Sequence, residues 1–127
     1  MAGLKNVTTS DGKGVASNGT TAADLYTAPA SLKDAGQNSS PGYGAWLQSM
    51  RVYNSDTVQH DCVFHNLPSG LSIGNDTIFE RVTIPAGASY RWQGKEWLGP
   101  SAKVQIKLGE AHTSTAVYTR PQVVEST

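Results

Sequence analysis

The chain has 127 residues, enough for one ordinary domain. Ten basic and ten acidic residues cancel to a net charge of zero, and charged side chains make up 16% of the chain against the usual ~25%. Both signs are scattered with no block of like charge, so the sequence shows neither the basic stripe of a nucleic-acid binder nor the basic amphipathic helix of a membrane-surface protein, and neutrality favours association with other protein.

At this size folding buries roughly 65% of the surface that the unfolded chain exposes, so a core forms without staples. A single cysteine, Cys62, excludes an intrachain disulfide. The opening MAGLKNVTTSDGKG lacks the apolar segment of a secretory signal, and no apolar run approaches the ~20 residues of a membrane span.

Residues 1–21 are mostly Gly, Ser, Thr, Asn and Ala, too small and polar to offset the entropy of ordering alone. They read as an extended or flexible N-terminal arm, either a disordered tail or an arm that orders on a neighbouring subunit. Ala23 to Thr27 is a short strand stopped at Ala28-Pro29. Residues 30–44 form a long Gly/Pro-rich loop, a length that marks function or mobility.

Ala45 to Asn54 is the next strand, with Trp46, Met50 and Val52 on one face. Thr57 to Leu67 places Val58, His60, Cys62 and Phe64 on one face, and Leu71 to Ile73 reads as a brief edge strand. Thr77 to Ile84 places Ile78, Val82 and Ile84 on one face and Phe79, Arg81 and Thr83 on the other. Ala88 to Trp92 alternates Tyr90 and Trp92 against Ser89 and Arg91. A turn, Gln93-Gly94-Lys95-Glu96, then stands between Trp92 and Trp97.

Ser101 to Leu108 has the cleanest alternation, with Ala102, Val104, Ile106 and Leu108 inward and Lys103, Gln105 and Lys107 outward. Thr113 to Thr119 is the last strand, ended by Arg120-Pro121. Seven or eight strands parted by Gly/Pro/Asn turns predict an all-β protein, an antiparallel β-sandwich or jelly roll. The expected organisation is an arm over 1–21, a β-sandwich domain over 22–120 and a C-terminal tail over 121–127. The expected core holds Val52, Phe64, Ile78, Val82, Ile84, Ala102, Val104, Ile106 and Leu108.

His60, Asp61, Cys62 and His65 are the one cluster of metal-ligand types, but strand alternation parts His60 and Cys62 from Asp61 and His65. A Cys/His nucleophile pair needs an oriented base and an oxyanion hole, and no glycine-rich elbow flanks Cys62. No catalytic, cofactor-binding or metal-binding residue is therefore assigned, and no enzymatic activity is expected. Tyr43, Trp46, Trp92 and Trp97 are the candidate partner-interface residues, because Trp and Tyr concentrate at interfaces and also serve as sugar-stacking platforms.

Four segments carry a resemblance: Asp24-Leu25-Tyr26-Thr27-Ala28-Pro29, Ser49-Met50-Arg51-Val52-Tyr53-Asn54-Ser55, Ile84-Pro85-Ala86-Gly87-Ala88-Ser89 and Ser101-Ala102-Lys103-Val104-Gln105-Ile106. In this order they resemble small β-sandwich virion structural proteins of tailed bacteriophages, over roughly residues 22–108. The resemblance implies a structural part of a virus particle: a capsid decoration (cement) protein, or a tail, fibre or neck module. Capsid decoration best suits one compact domain with an arm. The implied partner is the major capsid protein, on the capsid surface of the virion. The arm, the long loop and the neutral, low-charge composition predict contacts with copies of the chain itself, as a homotrimer, and the scattered charges predict that neither nucleic acid nor membrane is bound. A carbohydrate-binding β-sandwich module is the alternative from a different class.

Overall fold

The computed structural model describes residues 4–8, 13–15, 22–29, 44–109 and 117–126. Among these lie nine strands: β1 (Leu4–Thr8), β2 (Lys13–Val15), β3 (Ala23–Thr27), β4 (Ala45–Asn54), β5 (His60–Leu67), β6 (Ile78–Ile84), β7 (Ser89–Leu98), β8 (Lys103–Leu108) and β9 (Val117–Ser126). One 3-10 turn, Asn75–Thr77, precedes β6. All pairings are antiparallel.

One sheet runs β1-β9-β4-β7, with β2 also on β9, and the other runs β3-β8-β5-β6. β1 and β2 lie end to end on β9 and together fill one edge position. Apart from the β5–β6 hairpin, every connection from β2 onward passes from one sheet to the other. Eight strand positions wound in this way make a β-sandwich of jelly-roll topology.

The inner faces explain the fold. On β8, Val104, Ile106 and Leu108 are buried while Lys103, Gln105 and Lys107 stay partly exposed. Leu47, Met50 and Val52 of β4 meet Cys62 and Phe64 of β5 and Ile84 of β6 across the core. Gly44 is required where β4 begins, because a Cβ there would sit 2.0 Å from the Leu98 carbonyl oxygen.

Polar ties bind the sheets at their ends. The Asn54 amide donates to the carbonyls of Val58 (2.8 Å) and Ile84 (3.0 Å), and the Asn66 amide to Glu96 (2.8 Å) and the Trp97 carbonyl (2.8 Å). Tyr26 donates its phenol to Glu125. Burial first, then that carboxylate, pushes the phenol well above its ordinary range.

Several elements differ from the sequence expectation. Ile78 and Phe79 are exchanged: a bulge between Phe64 and His65 shifts the β5–β6 register, so Ile78 opposes His65 on the outer face. Phe79 turns inward against Phe64 and Trp92. Val82 is partly buried against the core. The expected turn at Gln93–Glu96 is continuous strand in β7, and Leu71–Ile73 is not a strand. Val58 lies outside β5 and is 50% exposed.

β9 does not stop at Pro121, so residues 121–126 belong to the sheet rather than to a tail. On the outer edge of β9, β2 pairs with Val117 to Thr119 and β1 with Gln122 to Ser126. Pro121 falls between these two stretches, where the ladder on that edge asks for no N–H donor. Within the expected arm, the described residues 4–8 and 13–15 are extended and paired on β9. The loop residues 30–43 and the segment 113–116 lie outside the described residues.

Candidate functional site

The outer face of the β9-β4-β7 layer collects the features that can bind something. Register places outward side chains in rows across three strands. In the first row Trp46 opposes Trp97 on one side and Val124 on the other. The two indoles lie 4.9 Å apart at 56°, and the Lys95 ammonium sits 5.0 Å above the Trp46 ring. Such a cation–π contact is worth about 0.5–1 kcal/mol at an exposed site.

In the next row Ser49 opposes Gln122 and Gln93, with the serine hydroxyl 3.4 Å from the Gln122 amide oxygen. In the third, Arg51 opposes Arg91 on β7 and Arg120 on β9. All three arginines are exposed. In the fourth, Tyr53 opposes Ser89 and Tyr118. Tyr53 and Tyr118 are 45% and 40% exposed and, with Arg51, Arg120 and Ser89, line a shallow pocket of about 320 Å³.

Of the candidate interface residues, Trp46 and Trp97 therefore come together on this face. Trp92 does not join them: it opposes Met50 on the inner face and meets the Phe79 ring edge-on at 5.4 Å. Its indole lies over Gly94, where a Cβ would meet the ring at 2.7 Å. Tyr43 lies outside the described residues.

The histidine and cysteine cluster is divided by the strand alternation. His60 and Cys62 are buried inside, His60 held 3.0 Å from the Asp56 carboxylate. Asp61 faces outward against Arg81 at 2.9 Å. His65 is packed under the 3-10 turn, its Nδ1 2.7 Å from the Thr77 hydroxyl. That hydroxyl donates to the Gly74 carbonyl (2.9 Å) and accepts from the Gly74 N–H (3.1 Å), so the His65 Nδ1–H is the donor to it. Burial, then the Lys107 charge, holds the His65 pKa below its ordinary value. Among the described residues no group of three His, Cys, Asp or Glu side chains is placed to hold a metal ion.

The sequence reading missed the arginine row. Each arginine stands on a different strand, far from the others in the chain, so only the register reveals it. The available signal was the outward position of each arginine in its own strand.

No family model matches the chain, and no curated protein does. Among solved structures, a chain described under the words "Bacillus endospore appendages form a novel family of disulfide-linked pili" is similar at 13% identity and a TM-score of 0.45. The likeness covers 98% of this chain and 86% of that one. At that level of similarity it bears on neither fold nor function.

Proposed function

We propose that this chain is a non-enzymatic structural protein of a virion: a capsid decoration protein that stabilises the phage head by binding between capsid subunits, with the major capsid protein and copies of itself as partners. The observation that carries the reading is the manner in which the N-terminal segment joins the sandwich. β1 and β2 complete the β9 edge through backbone pairing, in two short pieces. Edge pairing of this kind is transferable, since an extended segment of one subunit can serve the sheet edge of another. The order of short motifs resembling small phage virion proteins supports the same reading. A decoration protein that binds only the mature shell stabilises it by mass action, and many copies add their weak contacts.

Co-sedimentation with purified heads and tails tests this. The full chain is expected to pellet with heads, as a trimer in free solution. Deleting residues 2–20 is expected to weaken that attachment while leaving the inner rows of the sandwich folded. Pelleting with tails alone, or with neither, overturns the decoration role.

A further inference from the structure

The arginine row runs across the strands rather than along one. Arg120, Arg51 and Arg91 are direct register partners on β9, β4 and β7, so three guanidinium-bearing positions span about 10 Å at the strand spacing. Like charges directly opposite one another destabilise a sheet. Among the described residues nothing offsets this, since none of the three arginines has a hydrogen bond or ion pair to a carboxylate. The carboxylates of Asp61, Asp24, Glu80 and Glu96 are engaged with other groups, Arg81, Lys103, Tyr90 and Asn66 in turn. In a chain of net charge zero, this uncompensated positive row is a local concentration of one sign.

Its surroundings define the anion that fits. On one side Tyr53 and Tyr118 present exposed rings. On the other, Gln93 and Gln122 present amides able to donate and accept. A protein partner's contact has its charge-depleted, apolar part at the centre, whereas here the charges are central and the aromatic rings lie at the margin. The face of a sheet has no free backbone groups, so strand addition is unavailable to a peptide on it. Three cations are few for a phosphate backbone, whose recognition rests on many.

We propose that this face binds a linear acidic polysaccharide through its uronate carboxylates. Arginine forks pair with planar carboxylates in two-point contacts. Tyr53 and Tyr118 pack against the apolar faces of the sugar rings, and Gln93 and Gln122 take hydroxyl groups. The site does not depend on the decoration role and stands whether or not the chain binds capsids.

The test is calorimetric titration of the full chain with oligogalacturonate. The same oligosaccharide as its methyl ester, heparin, polyglutamate and a single-stranded oligonucleotide serve as comparisons. Oligogalacturonate is expected to bind and its neutral ester not to. Arg51→Gln is expected to weaken binding by about tenfold or more, with Arg51→Lys between. Arg81→Gln, on the other sheet, is expected to leave it unchanged, and all three variants are expected to keep the wild-type circular-dichroism spectrum. Equal binding of acid and ester, indifference to Arg51→Gln, or no binding of oligogalacturonate overturns the site. Tighter binding of heparin, polyglutamate or the oligonucleotide overturns the carboxylated-glycan assignment in favour of a sulfated glycan, an acidic peptide or nucleic acid respectively.

Discussion

Two buried side chains behave in opposite ways, and both can be measured. Thr119 is 1% exposed on the inner face of β9, and its hydroxyl has no hydrogen-bond partner among the described residues. A buried hydroxyl left unpaired costs about 1–3 kcal/mol. Valine keeps the β-branched shape and removes the cost, so Thr119→Val is expected to stabilise the fold by about 1 kcal/mol in denaturant unfolding. His65 gives a pH dependence. Its folded pKa lies below its unfolded value, because burial disfavours the imidazolium and Lys107 repels it. The unfolded chain therefore binds the proton first as pH falls. The contribution is complete above the unfolded value of about 6.5 and is lost as pH drops below it. Between pH 7.5 and 5.5 the unfolding midpoint is expected to fall for the wild type and to fall less for His65→Asn, which keeps a donor to Thr77.

At the scale of an element, the β5–β6 hairpin shows what a sequence pattern conveys. The alternation in β8 predicts its buried row correctly, because the strand is regular and flanked on both sides. The same reasoning over Thr77 to Ile84 inverts two residues, because a bulge changes the two-residue period at one point and no residue type announces it. Gly94 and Pro121 mislead for a related reason. Each is a turn signal locally, yet Gly94 lies within β7 to admit the Trp92 ring, and Pro121 falls between the stretches of β9 that β2 and β1 pair with. The arginine row was invisible for the same reason, since it exists only in the register of three strands. The exchange at the bulge gives a direct check. Phe79→Ala is expected to cost about 2–3 kcal/mol, as the ring contacts Phe64 and Trp92 in the core, and Ile78→Ala on the outer face less than about 1 kcal/mol. Equal costs in denaturant unfolding would return Ile78 to the core.

At the scale of the whole molecule, the winding of the chain sets how it must fold. Among the described residues only β5 and β6 form a hairpin within one sheet; from β2 onward each other described strand must find a partner in the opposite layer from its chain neighbour. β1 near the N-terminus pairs with β9 near the C-terminus, and the Tyr26–Glu125 tie joins β3 of the opposite sheet to the same strand β9. Loop closure must be met before such contacts repay it, so the first productive contacts are entropically costly. The local β5–β6 hairpin is marginal alone and needs β8 beside it to bury Phe64 and Ile106. Sandwiches of this kind fold in milliseconds to seconds rather than microseconds. Stopped-flow refolding is expected to show a main phase on that timescale. Trp92 is the natural reporter, because it changes from water to a contact with Phe79 in the core, and Trp46→Phe with Trp97→Phe isolates its signal. Truncating Phe64, at the centre of the β5 pairings with both β6 and β8, is expected to slow that phase, whereas truncating Tyr118 on the exposed face is expected to leave it unchanged. A microsecond main phase, or one equally sensitive to both positions, would mean that local structure rather than the closing of the two sheets limits folding.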